Sequence, residues 1–285
     1  MSLLILAVLL AARPGAGAPS RDEVFGEIGS HVVMPDESLI EIAREYDVGF
    51  NEIAATNRRL DPFIPRVGAV AVIPTAWILP AASAPGTVVV NLSEMRLYLL
   101  RTRREPPITF PIGVAVEAAA TPLGVLTIIQ KTVAPTWHPP PSILEEDSTL
   151  PAEVPPGPEN PLGTHALRLS RPTILIHGTN KPFGVGRKVS HGCIRLYPED
   201  IPRLFQLVQI GTPVAIVREP VKVGLREGRV FVEIHADDTL ALDLLEESKR
   251  LLRERAVLGR VDLRKLAQAV RARGGIPVDV TEDAG

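Results

Sequence analysis

The stretch Ser190-His191-Gly192-Cys193-Ile194-Arg195-Leu196 contains the single cysteine of this 285-residue chain. The chain also begins with an apolar run typical of export signals, and a lone cysteine forms no disulfide within its own chain. In an exported protein, an unpaired cysteine is either a small buried hydrophobe or a reactive thiol. The glycine before Cys193 and the histidines nearby favour the reactive thiol, because a thiol nucleophile needs a base and an open approach. The stretch predicts a cysteine acyltransferase.

Two histidines are candidates for the base that activates this thiol. His177, in the segment His177-Gly178-Thr179-Asn180, ends a strand-like run, where a sheet would hold the imidazole rigidly. We predict that His177 is the base and that the carbonyl of Gly178 accepts its second ring N–H and fixes the tautomer. His191 is two residues from Cys193, so we expect it to support the loop or a substrate oxygen.

Further residues of these segments suit the binding of an acyl substrate. The backbone N–H groups of Gly192 and Cys193 can approach a developing oxyanion, and Arg195 can hold a substrate carboxylate through a bidentate pair. Taken singly, each of these residues also has an ordinary structural explanation, such as a core histidine, a turn glycine or a surface cation. The other predicted substrate-binding residues are Ser190, Asn180 and Trp137.

A metal centre and a nucleic-acid partner are both disfavoured. The chain has no H-E-x-x-H motif and no paired cysteines, and no carboxylate lies close to the candidate ligands, so we predict neither a metal nor another cofactor. The formal net charge of −2 argues against a nucleic-acid partner, which usually requires basic clusters. The candidate metal ligands weighed were His138, His165, His177, His191 and Cys193.

The first residues predict export. The apolar run over residues 1–12 is too short to span a bilayer comfortably and is followed by Ala16-Gly17-Ala18, which has the A-x-A form of a cleavage site. We predict a signal peptide over residues 1–18, the alternative being an N-terminal core helix. The mature protein is then expected in the periplasm or cell envelope.

Residues 31–75 predict a small unit of the order strand, helix, helix, strand. This order resembles the LysM module, which binds glycans containing N-acetylglucosamine such as peptidoglycan. The resemblance implies the same ligand here, and a packing domain without a ligand is the alternative. The matching residues are Asp36-Glu37-Ser38-Leu39, Ile42-Ala43, Tyr46, Asn57, Gly68 and Ile73-Pro74.

The remainder predicts a mainly β fold with helical additions. Beyond a linker over residues 80–86, short strands with glycine and proline punctuation indicate a sandwich or barrel over residues 86–218. Nine of the 27 residues from 135 to 161 are proline, which predicts a stiff loop that lines a binding cleft. Residues 219–285 predict a β-hairpin and two amphipathic helices.

The motifs around His177 and Cys193 together resemble the L,D-transpeptidase (YkuD) catalytic domain, in its periplasmic Gram-negative branch. The proline-rich insertion and the tail after the domain resemble this branch, and the pairing of the domain with a LysM unit is familiar. The supporting matches are Asn91-Leu92 with Leu97-Tyr98, Thr121-Pro122-Leu123-Gly124, Pro135-Thr136-Trp137, Asn160-Pro161-Leu162-Gly163 and Phe183-Gly184-Val185-Gly186.

The resemblance implies a β-sandwich-like fold and a two-step acyl transfer on peptidoglycan stem tetrapeptides. Cys193 would form a thioester at diaminopimelate with release of D-Ala. An amine of another stem, or of an envelope lipoprotein or outer-membrane protein, would then resolve the thioester. The alternatives are a hydrolase on the same fold (an L,D-carboxypeptidase or amidase) and a non-enzymatic wall-binding protein. A papain-like protease fits less well, since this chain lacks the spacing from cysteine to histidine that such a protease has.

Overall fold

The computed structural model describes residues 22–102, 105–116, 121–190 and 192–283. The predicted signal peptide over residues 1–18 and the predicted site residue His191 lie outside the described residues. No helix within the described ranges combines the length and the apolar character that a membrane span requires.

The first unit has the predicted order of strand, helix, helix and strand. Ser38 caps the first of its helices in a capping box with Glu41, which satisfies backbone N–H groups that a helix start leaves unpaired. The strand just before the two helices pairs with the strand just after them, and the two outer strands of the unit pair with each other. The elements are β1 (Val24–Gly26), β2 (Gly29–Val32), α1 (Leu39–Glu45), α2 (Phe50–Thr56), β3 (Val70–Ile73) and β4 (Ala76–Ile78).

The mainly β prediction for the central region is confirmed, and eight of its strands form one curled sheet. Their order in the sheet is β13-β11-β10-β9-β14-β5-β6-β7. The strands are β5 (Thr87–Asn91), β6 (Arg96–Leu100), β7 (Ile108–Pro111), β8 (Val114–Ala115), β9 (Gly124–Val133), β10 (His165–Leu169), β11 (Leu175–His177), β12 (Lys188–Ser190), β13 (Ile194–Arg195) and β14 (Pro213–Val217).

The pairing within this sheet is mixed. Most neighbouring strands are antiparallel, but β14 runs parallel to β5 and β13 runs parallel to β11. The strands β8 and β12 form a separate parallel pair. Two helices accompany the sheet, α3 (Pro141–Glu146) and α4 (Asp200–Leu207). The parallel pair of β11 and β13 brings the segment that ends at His177 beside the segment that follows Cys193.

The two faces of the sheet are covered differently. One face packs against α4 and forms the main core, which includes Phe110, Leu167 and Leu204. On the other face, Tyr98 and Ala215 pack against the first unit. That second face is open over β9, β10 and β11, where Gln130, Arg168 and Leu175 are among the residues that line a cavity. The open part of the sheet is therefore available to a substrate.

The first unit is joined to the sheet by a buried ion pair. Nε and Nη2 of Arg96 on β6 each lie 2.8 Å from a carboxylate oxygen of Glu52 on α2. Both side chains are almost wholly buried, and the Arg96 guanidinium lies 4.4 Å from the centre of the Trp77 ring. Although residues 80–86 read as a linker, the parts that they connect share a core.

The C-terminal part has the predicted hairpin and two helices, with a core of its own. Lys222 anchors it to the main sheet, since its Nζ lies 2.5 Å from Glu94 and 2.8 Å from Glu233. All three side chains are buried, so each charge has a partner where water is excluded. The elements are β15 (Val221–Arg226), β16 (Arg229–Ile234), α5 (Leu244–Glu254), α6 (Leu263–Ala272) and β17 (Val278–Asp279).

Candidate active site

One cavity of about 440 Å³ on the open face of the sheet contains both predicted reactive residues, His177 and Cys193. The proline-rich loop forms one wall of it, as the sequence predicts. The predicted residues Trp137, Ser190 and Arg195 also line it. The structure therefore brings together residues that lie up to 58 positions apart in the sequence, from 137 to 195.

His177 is held at the end of β11 with its ring oriented. Its Nδ1 lies 2.6 Å from the carbonyl oxygen of Gly178, and its exposed fraction is 3%. Because a carbonyl oxygen only accepts hydrogen bonds, Nδ1 carries the proton and Nε2 is left as the acceptor. A side chain at position 178 would clash, since a Cβ there would lie 2.9 Å from Cγ2 of Ile201.

The surroundings keep the imidazole neutral. The pKa of His177 is lowered to about 4, mainly by burial and also by the positive charge of Arg195. Backbone hydrogen bonds to Gly178 and Leu162 act in the opposite direction. At neutral pH the ring is therefore in the form that accepts a proton, which is the form a general base requires.

Cys193 is a half-buried thiol rather than a preformed thiolate. Its Sγ donates to the carbonyl oxygen of Thr173 at 3.6 Å. Burial raises the pKa of the thiol, while a backbone hydrogen bond from Leu175 and the charges of Arg195 and Arg168 act to lower it. With His177 neutral and Cys193 protonated, the thiol must lose its proton during the attack, which requires a nearby base.

The loop that carries the thiol is fixed by neighbouring side chains. Gly192 has a φ of +105°, a region of backbone conformation that glycine adopts far more readily than other residues. Its carbonyl accepts a hydrogen bond from the Thr121 hydroxyl at 3.0 Å, and the Ser190 hydroxyl donates to the carbonyl of Cys193. Ser190 thus lines the cavity with its hydroxyl engaged in the loop, and its role toward substrate stays a prediction.

Arg195 has a hydrogen-bond donor that is not used within the described residues. Its Nε is buried and has no hydrogen-bond partner within the described residues. Burial lowers the pKa of the guanidinium, but an arginine remains charged at neutral pH. A charged donor without a partner in a cavity is suited to a substrate carboxylate.

The proline-rich wall is a folded loop. The backbone N–H of Trp137 donates to Val154 at 2.9 Å, and the N–H of Val154 donates back at 2.8 Å. The side chain of buried Asn160 donates to the carbonyl of Pro135 at 2.8 Å and accepts from the N–H of Leu162 at 2.9 Å. The backbone carbonyl of Leu162 also contacts His177. A change in the position of this wall would therefore change the surroundings of the base.

Two other predicted residues lie away from the reactive pair. Asn180 donates to the backbone carbonyl of Glu159 at 3.0 Å and does not line the cavity, so binding of substrate by Asn180 stays a prediction. His165, weighed as a metal ligand, packs against the ring of Phe205 with 4.7 Å between centroids. The sequence motifs give no individual role to Thr121 or Leu162. In the structure, Thr121 contacts the site through its hydroxyl and Leu162 through its backbone carbonyl.

The fold and the site together define a thiol-dependent acyltransferase. Residues 85–216 match the family model of the L,D-transpeptidase (YkuD) catalytic domain. The chain is 36% identical to the probable L,D-transpeptidase YcfS of Escherichia coli K12, covering 92% of this chain and 86% of that protein. It is 37% identical to the probable L,D-transpeptidase ErfK/SrfK of the same organism, covering 88% and 85%.

A third relative, the probable L,D-transpeptidase YbiS of Escherichia coli K12, is 40% identical over 70% of this chain and 66% of that protein. The chain belongs to the L,D-transpeptidase family.

Proposed function

We propose that Cys193 and His177 carry out acyl transfer on peptidoglycan stem tetrapeptides. The observation that supports this most directly is the common cavity of the two residues, in which Gly178 orients the His177 ring. The family membership supplies the reaction class, and the unpartnered Arg195 suits an anionic peptide.

In the first step, Sγ of Cys193 attacks the carbonyl of diaminopimelate in its amide with D-Ala, and Nε2 of His177 takes the thiol proton. The backbone N–H groups of Gly192 and Cys193 stabilise the oxyanion that develops on the substrate. The C–N bond then breaks, and the proton on His177 passes to the nitrogen of the departing D-Ala. The product is a thioester between the diaminopimelate carbonyl and Cys193.

In the second step, an amine attacks the thioester carbonyl while His177 accepts a proton from the amine nitrogen. The C–S bond breaks, and the proton returns to the sulfur of Cys193. The acceptor is an amine of a second diaminopimelate, which gives a 3→3 crosslink, or a lysine of an envelope protein, which anchors that protein to the wall.

Product analysis tests this assignment. The protein is incubated with a disaccharide-tetrapeptide donor, with and without a second tetrapeptide or a lysine peptide as acceptor. A crosslinked dimer or a lysine adduct that requires Cys193 supports transfer and names the acceptor. Tripeptide as the sole product, with either acceptor present, would instead identify a hydrolase.

We also infer that residues 31–75 bind the glycan strands of peptidoglycan, and that the mature protein works in the periplasm. The order of strand, helix, helix and strand supports the LysM assignment. Phe63 and Ile64, which follow α2, expose 59% and 80% of their surface, as a binding face would. We expect a Cys193→Ala chain to sediment with insoluble peptidoglycan and an added Phe63→Ser, Ile64→Ser pair to weaken this. Equal sedimentation of both chains would contradict the inference.

A further inference from the structure

A second cavity, of about 150 Å³, opens directly beside the catalytic cavity. Four residues line both cavities, so the two form one groove that continues from the reactive pair across the open face of the sheet. The shared residues are Thr136, Leu162, Arg168 and Leu175.

The strand register shows where Arg168 lies in this groove. On β10, Ala166 pairs with His177, and Arg168 pairs with Leu175. Positions two apart on a strand point to the same face, so Arg168 lies on the face of the sheet that carries the base. Two neighbouring rows cross the strands, with Thr132, Ala166 and His177 in one and Gln130, Arg168 and Leu175 in the next.

The guanidinium of Arg168 is oriented but carries an uncompensated charge. Its Nε donates to the amide oxygen of Gln130 at 3.3 Å, and its Nη1 donates to the carbonyl of Pro172 at 2.6 Å. Both partners are neutral, and no carboxylate within the described residues pairs with it. Buried Arg96, by contrast, is paired with Glu52 at 2.8 Å. The remaining Nη2 of Arg168 has no hydrogen bond to the described residues.

Arg195 shares this property on the strand β13, so two guanidinium groups without carboxylate partners flank the reactive pair. The charges of both reach Cys193, where they oppose the effect of burial on the thiol. A cavity with two unpaired, positioned guanidinium groups is complementary to a ligand with two carboxylates. A stem tetrapeptide that contains diaminopimelate carries several carboxylates along the peptide.

We propose that Arg168 binds a second carboxylate of the donor stem peptide, in the groove that extends the catalytic cavity, while Arg195 binds the first. The inference rests on the proposed function, because it takes the donor to be a stem peptide. Arg168 is then a residue that determines donor specificity by requiring a free acid at one position. Gln130 and the Pro172 carbonyl hold the guanidinium in place before substrate arrives.

Donor peptides that differ in a single carboxylate test the proposal. Tetrapeptides are prepared as the full acid and in three forms that each have one carboxyl amidated: the distal carboxyl of diaminopimelate, the α-carboxyl of glutamate, or the terminal carboxyl of D-Ala. The initial rate of acyl-enzyme formation gives kcat/KM for the wild type, Arg168→Gln and Arg168→Lys. Arg171→Gln is the matched control, since Arg171 is exposed in the same region and lines neither cavity.

We expect Arg168→Gln to lower kcat/KM for the full acid on the order of ten- to a hundred-fold, the range for a lost charge-assisted hydrogen bond. With one of the amidated donors, the loss in Arg168→Gln should shrink to the loss seen in its alkylation by iodoacetamide, which reports the effect of the Arg168 charge on the thiol alone; that donor identifies the carboxylate. Arg168→Lys should recover part of the loss on the full acid, and Arg171→Gln should match wild type on every donor.

A loss in Arg168→Gln that is the same for the full acid and for every amidated donor would overturn the proposal, because it would show an effect on the groove or the thiol rather than on a carboxylate of the donor. No loss on any donor would overturn it as well. These outcomes leave the proposed function intact if the wild type forms the acyl-enzyme. A wild type that reacts with none of the donors would overturn the proposed function and the inference together.

Discussion

The carbonyl oxygen of Gly178 lies 2.6 Å from Nδ1 of His177, the residue immediately before it in the chain. This contact fixes the ring without a carboxylate, so the base is oriented by backbone alone. A backbone carbonyl keeps its position only while the chain around it is packed, and the packing around Gly178 is close. Changes at this glycine should therefore act on catalysis through the histidine.

Gly178→Ala should impair acylation more than it impairs folding. The added Cβ would lie 2.9 Å from Cγ2 of Ile201 and 3.3 Å from the carbonyl of Leu162, so it displaces the two carbonyls beside His177. We expect a cost of about 1–3 kcal/mol in the free energy of unfolding. The acylation rate should fall by more than the lost fraction of folded protein explains. Gly259→Ala is the control, since a Cβ there meets nothing within 4 Å. Wild-type acylation by Gly178→Ala would contradict the role of this carbonyl.

Asn160→Ala should loosen the proline-rich wall of the cavity. Its side chain donates to the carbonyls of Pro135, Val154 and Pro155, and the loss of these bonds from a buried side chain should cost about 1–3 kcal/mol. We expect a raised KM for the donor and faster proteolysis within residues 135–161. The control is Asn51→Ala, which loses one bond to the carbonyl of Glu94 at a residue that does not line the cavity, and it should leave both unchanged. Equal behaviour of the two variants would count against this account.

Arg96→Met should destabilise the whole chain by about 3–5 kcal/mol, because it leaves Glu52 buried and charged without a charged partner. The matched control is Arg44→Met, which breaks a pair with Glu199 that also joins the first unit to the central region. That pair is half exposed, so its loss should cost less than about 1 kcal/mol. Urea unfolding measures both. Two separate transitions in the wild type would show that the units unfold independently.

The pH dependence of two rates should distinguish the thiol from the base. Because burial raises the pKa of Cys193, alkylation by iodoacetamide should still rise at pH values where a free cysteine has levelled off. His177 stays neutral until the pH falls through about 4, so acylation by donor should lose its base only there. An acid limb near 6.5, the ordinary histidine value, would contradict the neutral buried ring.

The same pKa shift sets a stability effect with a defined sign. The pKa of folded His177 is lowered to about 4 from 6.5, so the unfolded chain binds a proton in this window that the folded chain does not. Folding stability should therefore fall as the pH drops from about 6.5 to about 4. His177→Gln should remove this part of the pH dependence, as measured by unfolding at several pH values. An unchanged profile would show that His177 titrates normally.

Local patterns predict the mainly β central region, and they are also the basis on which His177 and Cys193 are predicted as the reactive pair. The short strands and the glycine and proline punctuation indicate the mainly β region over residues 86–218, in which the structure has β5 to β14, because these signals depend on near neighbours. The motif around Cys193 is equally local. Even the short helix α3 within the proline-rich loop has a local cause, a proline in its first turn, where no N–H is required.

What the sequence did not predict depends on distant partners or on backbone atoms. No local pattern indicates that Glu52 is buried, and only the fold shows that it pairs with Arg96, 44 residues away. The carbonyl of Leu162 that contacts His177 has no side-chain signal at all. Arg168 occupies an ordinary outward position on a strand, and its significance appears only when the groove beside it is seen.

Intact-mass spectrometry of the protein with a disaccharide-tetrapeptide donor tests the central claim most directly. The account predicts an adduct of the donor minus D-Ala on the wild type, absent from Cys193→Ala and strongly reduced in His177→Gln, with all three proteins folded. The adduct should disappear when an amine acceptor is added. An adduct of the same mass on Cys193→Ala, or none on a folded wild type, would contradict the assignment of Cys193 as the nucleophile of an L,D-transpeptidase.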